Sequence, residues 1–284
     1  MDKKAARERI EKLREVINRE RYLYHVLDRE GMPETALDSL KHELYELEQK
    51  FPGLITPDSP TQRLGGKPLP KFDKVRHTAR QWSFNDAFNE DEIRAFDTRV
   101  KRELGKKLGR EPEVSYTAEL KIDGFKIVLT YEKGMLKTAA TRGDGEVGED
   151  VTENVKTIES IPLKLTKPLD LVAEGEIWMS KKDFEALNER QKKKGEPLFA
   201  NPRNIAAGSI RQLDPKVVTS RKLSGFVYDI ASLSSPSPKT QSEELAFLGE
   251  LGFKVNPHHQ ICRSADEIIQ YWREWEKKRG KMDY

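Results

Sequence analysis

A chain of 284 residues is long enough to build one to three domains, and 36% hydrophobic against 35% charged residues gives it a heavily charged surface. With 51 basic and 48 acidic residues the net charge is only +3, which excludes a uniformly basic nucleic-acid-binding domain; contact with nucleic acid must come from local clustering. Cys262 is the single cysteine, so an internal disulfide and a cysteine-based zinc site are excluded, and the charged start MDKKAARERIEKLREV and the lack of eighteen consecutive apolar residues lead us to expect a soluble, intracellular protein.

The pattern begins with two helices. Ile10, Leu13, Ile17 and Tyr24 follow steps of three, four and seven, which predicts one apolar stripe on a charged rod. Asp28 to Pro33 is turn-rich, and Leu37, Leu40, Leu44, Leu47 and Phe51 give a second stripe that Pro52 and Gly53 end. Two such stripes on a short link predict an antiparallel helical hairpin. Residues 57–70 (PDSPTQRLGGKPLP) read as an ordered loop or hinge, dividing the chain into a helical unit, 1–70, and a larger unit, 71–284. In the second, a helix from Asp91 to about Leu108 precedes alternating segments at Val114–Ile122, Lys126–Glu132, Leu136–Thr141 and Leu171–Met179, with Asp-Gly, Lys-Gly and Gly-Asp-Gly turns. A helix near Lys181–Lys194, then a loop, a strand near Ser224–Ile230, a Ser/Pro-rich link at Ser232–Pro238 and helices near Ser242–Leu251 and Ala265–Arg279 follow. The expected fold class is α+β, a helical hairpin followed by a domain built on antiparallel sheets.

Four constellations could carry chemistry. On a strand, Glu119, Lys121 and Asp123 share one face, and Leu120 and Ile122 the other. A partly desolvated amine between two carboxylates can serve as a nucleophile, although the carboxylates favour the ammonium form, so a metal ion or the substrate's charge must help release the proton. A solvent-facing stripe of charges is the plainer alternative. Thr141 to Asp150 (TRGDGEVGED) is a glycine-rich loop whose backbone can approach phosphate while Arg142 grips an anion, or simply a hairpin turn. Glu174-Gly175-Glu176 places a glycine in mid-strand, a sign of close approach or of a bulge. Phe199 to Ser209 (FANPRNIAAGS) ends in small residues that suit tight helix packing as well as function. None of the four decides function alone.

Their combination does. The run from Glu119 through Pro162 (ELKIDG, then AATRGDGEVGEDVTENVKTIESIP), FANPRNIAAGSIRQLDP at 199–215 and PDSPTQRLGG at 57–66 closely resemble bacterial NAD⁺-dependent DNA ligases, in the expected order and over nearly the whole chain. Lys-x-Asp-Gly is shared with ATP-dependent ligases and capping enzymes; the other segments single out the NAD⁺ branch. The resemblance implies a helical nicotinamide-mononucleotide-binding domain followed by a nucleotidyltransferase domain of the ATP-grasp-like ligase type. It also implies that the motif lysine, here Lys121, attacks the α-phosphate of NAD⁺, releases nicotinamide mononucleotide and keeps AMP as a phosphoramidate. AMP would next pass to a 5′-phosphate at a DNA nick, to be displaced by the 3′-hydroxyl.

By the same resemblance, Asp123 supports the lysine or a metal, Glu119 contacts the adenine, Ile122 forms part of its pocket, Arg142 and Glu176 hold the ribose and phosphate region, and Tyr228 stacks on the base. Tyr24, His25, Glu34 and Asp38 stand where the family binds the nicotinamide half, and Ser83 and Phe84 match a further nucleotide-binding pair. The implied partners are NAD⁺ and nicked double-stranded DNA, with Mg²⁺ (or Mn²⁺) as metal, no metal site among the residues named, and no counterpart here to the family's Zn²⁺ site. The implied setting is a monomer in the bacterial cytoplasm, associated with the nucleoid and without a membrane partner.

Departures accompany the match. Glu34 replaces a usual aspartate and Leu37 a tyrosine; Arg80-Gln81-Trp82-Ser83-Phe84 stands for Pro-Met-Leu-Ser-Leu, and Glu174 for a common arginine. Trp272 to Tyr284 reaches the point where the family continues into an Ile-Asp-Gly-Val-Val-x-Lys strand and then into oligonucleotide-binding, zinc-finger, helix-hairpin-helix and BRCT domains. The expectation is therefore a chain truncated at its C-terminus, with weak self-adenylylation and no nick sealing alone. Two other readings stand beside it: an ATP-dependent nucleotidyltransferase, which the hairpin argues against, and a catalytically idle NAD⁺-binding remnant.

Overall fold

Asp2 accepts a hydrogen bond from the Ala5 N–H at 2.8 Å and so starts α1 (Lys3–Arg21) in the computed structural model, which describes residues 2–29, 31–63, 70–83 and 85–284. Ala6, Ile10, Leu13 and Ile17 pack against Leu44 and Leu47, with Leu37, Leu40 and Phe51 at the edge, so α1 and α2 (Glu34–Lys50) form the expected hairpin. The ion pairs Arg9–Glu43 and Arg14–Glu48 span it. Tyr24 leaves the predicted stripe. After Arg21 a π-helical turn, Tyr22–Val26, is closed by a Leu27 N–H to Tyr22 carbonyl bond of 3.1 Å; the wider turn shifts the angular phase, leaving Tyr24 62% exposed and burying Val26 instead.

Beyond the link, β1 (Lys74–Arg76) is followed by α3 (Glu90–Leu108), capped by Asn89 and stopped by Gly109 in the left-handed region. Next come β2 (Tyr116–Glu119), β3 (Phe125–Glu132), β4 (Met135–Thr141), β5 (Val147–Glu149) and the short α4 (Thr152–Lys156). The chain continues through β6 (Leu171–Trp178), α5 (Lys181–Lys194), α6 (Pro202–Ile210) and α7 (Pro215–Ser220). It closes with β7 (Ser224–Leu233), α8 (Gln241–Glu250), β8 (His259–Cys262) and α9 (Ala265–Lys278).

The main sheet is antiparallel in the order β4-β3-β6-β7. Alternation along its strands sorts the layers. Ile127, Leu129, Tyr131, Ala173, Ile177 and Val227 enter the principal core, where side chains of α4, α6 and α8 cover them. Lys126, Glu174, Glu176 and Phe226 belong to the opposite set, and that face carries the site described below.

Several expectations need correction. The strand expected over Val114–Ile122 is paired only at Tyr116–Glu119, opposite β8; Leu120 to Asp123 leave the ladder to cross towards β3. Lys121 therefore sits on an extended crossing segment and not within a strand. The two-stranded ribbons β1/β5 and β2/β8 join segments far apart in sequence, which local periodicity does not reveal. The stretches around 202–210 and 215–220 are helices, each with proline in its first turn and a side-chain cap, Asn201 and Asp214 respectively.

The hairpin is fastened to the sheet unit by charged groups. Arg63, almost wholly buried, donates to the carbonyls of Lys156, Ile158 and Ile161 at 3.0, 2.8 and 2.8 Å. Arg21 donates to the Glu159 carbonyl, and Lys254 Nζ pairs with Asp28 at 2.6 Å. Among the described residues no helix is long and apolar enough to cross a membrane.

A nucleotide-sized cleft around Lys121

A cleft of about 1140 Å³ opens on the face of the sheet opposite the principal core. Its floor starts with Gly124, where the chain enters β3 so close to β6 that a Cβ would lie 2.3 Å from the Ile177 carbonyl oxygen. That contact holds the preceding residues in place. Ile122 is buried with Trp178 and Phe226, while Lys121 is exposed to the cleft. Exposure thus alternates from Lys121 to Asp123 without strand pairing. Asp123 does not line the cleft; it is exposed and accepts from Arg203, itself a lining residue, at 3.1 Å.

At one edge stands Tyr228, on β7. The register steps from Asp229 opposite Glu174 to Val227 opposite Gly175, so Tyr228 is the extra residue of a β-bulge, a device that re-aims a side chain beside a site. Gly175 serves both readings given to it, since the register shifts there and a Cβ would come within 2.6 Å of the Phe226 carbonyl. Phe226 stacks on Trp178 with centroids 5.3 Å apart, giving this edge a rigid apolar base. Burial together with Glu176, Glu174, Asp229 and Glu119 pushes the Tyr228 phenol above its usual range, so it stays neutral. Burial also raises the Glu119 carboxyl, opposed by a hydrogen bond with Gln241, whose Nε2 also donates to the Tyr228 carbonyl at 2.8 Å.

The other edge is the loop after β4. Gly143 and Gly145 take positive φ (58° and 97°), and Asp144 closes the turn by accepting from the Glu146 and Val147 N–H groups at 2.9 and 2.8 Å. The Arg142 guanidinium, aimed into the cleft, donates to Ser83 Oγ at 2.7 Å. Arg211 lines the same edge and pairs with Glu149 at 2.9 Å. Between the edges, burial raises the Glu176 carboxyl, and Lys121, Arg203 and Lys126 oppose the shift. Lys126 in turn pairs with the buried Glu174 at 2.5 Å.

The structure brings Ser83, Glu119, Lys121, Ile122, Arg142, Glu176 and Tyr228 together around one cavity. Tyr24, His25 and Asp38 do not line it. His25 meets Tyr24 edge-on with centroids 4.9 Å apart, and its imidazole is lowered to about 4 by burial and by Arg21, Lys41 and Arg63, against the opposing field of Glu159. Asp38 is exposed with Lys41 at 3.9 Å. Glu34 opens α2, its side chain lying outside the described residues, as does Phe84. Lys126, Arg203, Arg211 and Trp82 were not singled out as site residues from the sequence. An arginine at the start of a capped, proline-led helix was the available signal for Arg203. Among the described residues no three His, Cys, Asp or Glu side chains gather as a metal cage.

Comparison with known proteins agrees with this layout. The family described as NAD-dependent DNA ligase adenylation domain matches residues 69–284, and DNA ligase-like, N-terminal NAD+-binding domain matches residues 3–65. A DNA ligase of Thermotoga neapolitana is 49% identical over 277 residues, covering 98% of this chain and 39% of that protein. DNA ligases of Carboxydothermus hydrogenoformans (47% identical) and Bacillus cereus (46%) cover 100% of the chain and 42% of their own lengths. The chain thus spans about two-fifths of the length of these curated relatives. With both family descriptions matched in order and the glycine-anchored lysine in its nucleotide-sized cleft, the chain belongs to the NAD-dependent DNA ligase family.

Proposed function

We propose that this chain performs the first chemical step of NAD⁺-dependent DNA ligation, the transfer of AMP from NAD⁺ to Lys121. The Lys121 amine gives its electron pair to the α-phosphorus, the bond to the bridging oxygen breaks with its pair going to nicotinamide mononucleotide, and a proton from the amine goes to water. In the protein as a whole, AMP would then pass to the 5′-phosphate of a nick and be displaced by the 3′-hydroxyl, on nucleoid DNA in the bacterial cytoplasm. The observation that carries this reading is an exposed amine, on a segment fixed by Gly124, in a cleft with guanidinium groups at one edge and an aromatic platform at the other.

In this reading Tyr228 stacks on the adenine, Glu119 meets its amino edge, and Ile122 forms the pocket wall. Arg142 and Glu176 serve the ribose and phosphates, joined by Arg203 and Arg211 from α6 and the residue after it. Asp123 positions Arg203 through their 3.1 Å contact. Ser83 steadies Arg142, and Phe84 follows it in sequence. Tyr24, His25, Glu34 and Asp38 would take the nicotinamide half once the hairpin faces the cleft, a rearrangement that must break the Arg21 and Lys254 contacts. The unit boundary at 70/71 is supported by the two family matches, which end at 65 and begin at 69. Mg²⁺ or Mn²⁺ enters as a companion of the dinucleotide's diphosphate, and no step is derived through it.

Incubation with NAD⁺ or ATP, each labelled in the adenylate, tests the proposal. Label from NAD⁺ on Lys121 is the expected result. Label from ATP alone would move the chain to the ATP-dependent enzymes, and NAD⁺ binding without any label would make it an idle remnant.

A further inference from the structure

The face of the sheet beneath the cleft carries more acid than base. Glu174 and Glu176 of β6 project to it two residues apart, and Asp229 of β7 stands directly opposite Glu174. Glu174 is only 6% exposed, and it stands where the family commonly has an arginine. At that position the face has lost a positive charge and gained a negative one. A buried carboxylate without a counter-charge is strongly destabilising, more so with a second acid across the strand pair. Lys126 supplies the counter-charge. It lies on β3 directly opposite Glu176, and its Nζ reaches diagonally to Glu174 Oε2 at 2.5 Å, with the two side chains 18% and 8% exposed. Among the described residues no other cation comes within ion-pair distance of Glu174. Lys126 also lines the cleft, so the ion pair is part of the site's floor.

We propose that Lys126 is a positioning residue for Glu176: its ammonium, seated between the two glutamates, neutralises Glu174 and leaves Glu176 a charged acceptor for the ribose hydroxyls of a bound nucleotide. The assignment rests on the nucleotide reading above. An ionised carboxylate offers acceptors on both oxygens, whereas a protonated one turns one oxygen into a donor, so the charge on Glu176 decides what it can hold. Burial raises the Glu176 carboxyl, and Lys121, Arg203, the Gly124 N–H and Lys126 oppose the shift. From β7, Phe226 opposite Glu176 and the neutral Tyr228 phenol bring no charge. The three cations are not equivalent. Lys121 is the reacting amine and loses its positive charge when it takes the adenylate. Arg203 is exposed and shared with Asp123 at 3.1 Å. Lys126 neither reacts nor faces open water, so it is the fixed counter-charge of this face throughout the step. The cation that β6 lacks at Glu174 is thus returned from β3.

Calorimetric titration of this chain with NAD⁺, repeated between about pH 6 and about pH 8.5, tests the assignment. Lys126→Met should weaken binding about tenfold at the acid end, and the loss should shrink to about twofold at the alkaline end, where Glu176 ionises without help. Lys126→Arg should keep native affinity. The swapped pair Lys126→Ala/Glu174→Arg, which moves the cation back to β6, should recover affinity to within about threefold. If Lys126→Met does not fold, Lys126→Met/Glu174→Gln removes the unpaired buried charge and should show the same pH-dependent loss at about threefold. A loss that is equal at every pH and unrelieved in the swapped pair would overturn the assignment and make Lys126 a structural prop. Native affinity in Lys126→Met at every pH would overturn it as well. Failure of the native chain to bind NAD⁺ at any pH would remove the nucleotide reading itself, and this assignment with it.

Discussion

The cleft and the helical hairpin contribute to one proposed reaction but are built on different terms. In the cleft, Lys121, Arg142, Glu176 and Tyr228 stand on backbone fixed by strand pairing, a β-bulge and glycines packed against neighbouring carbonyls. On the hairpin, Tyr24 is exposed on a π-turn and His25 is enclosed near Arg21, Arg63 and Glu159, away from Lys121. The hairpin's seam residues are buried as fully as those of the sheet's core, so the contrast is one of attachment. Residues of one fold unit are positioned by that fold, whereas residues on a second unit are positioned by whatever holds the two units together. Here those fastenings include a buried arginine, a second arginine and ion pairs at Asp28 and Asp58.

The sharpest way to break this comparison is to substitute one glycine in each region. In Gly124→Ala the new methyl group would lie 2.3 Å from the Ile177 oxygen and 2.8 Å from Glu176 Cγ, so the backbone carrying Lys121 must move. A stability loss of about 2–3 kcal/mol and a fall in adenylylation of roughly a hundredfold are expected, read by thermal unfolding and by rate. Gly53→Ala, at the end of the hairpin, meets nothing within 4 Å and should change stability by less than about 0.5 kcal/mol.

Next in size is Arg63→Met, which leaves the carbonyls of Lys156, Ile158 and Ile161 without their donor. A loss of about 2–3 kcal/mol is expected, together with faster amide exchange in the hairpin than in the main sheet. A uniform loss across both units would contradict the view of Arg63 as the fastening between them.

Titration should separate the regions by sign. The hairpin's His25 is lowered to about 4 from 6.5, so between these values the unfolded chain binds the extra proton and stability falls as the pH drops. Near the cleft, burial and the neighbouring Asp229 and Glu119 raise Glu244 to about 7 from 4.5, opposed by the Ile230 N–H. In that window the folded chain binds the extra proton, so Glu244 contributes stability at low pH that is lost as pH rises through 7. His25→Asn should flatten the acid limb and Glu244→Gln the neutral limb of stability against pH, each by about 1–2 kcal/mol after solvent screening. The last of the fastenings is tested by Asp28→Asn. Asp28 is largely exposed but Lys254 is buried, so loss of the pair should cost about 1–2 kcal/mol and shrink in high salt.

The two regions also differed in how far they could be read from sequence. The hairpin was legible because Ile10, Leu13, Ile17 and the leucines of α2 repeat at helical spacing and pack locally. Its exception, Tyr24, followed from a π-turn that no spacing rule announces. In the sheet unit, the glycine-flanked turns marked β3, β4 and β6; of the face expected to join Glu119, Lys121 and Asp123, the first two line the cleft and Asp123 does not. What escaped was long-range: β1 finds β5 across some seventy residues, β2 finds β8 across more than a hundred, and Arg203 reaches Asp123 only after α6 docks on the sheet. Trp82 escaped because an indole in a loop carries no periodicity, and only the cleft gives it meaning.

The central claim is that one amine on the Gly124-anchored segment takes the adenylate. Intact-protein mass spectrometry after exposure to NAD⁺ and Mg²⁺, followed by peptide mapping, tests it most directly. The account predicts a gain of a single AMP on Lys121, absent in Lys121→Ala and in Lys121→Arg while their unfolding temperatures stay within about 1 °C of the parent, since the side chain is exposed. A gain of AMP that persists in both variants, or that maps to Lys126 or another lysine, would contradict it.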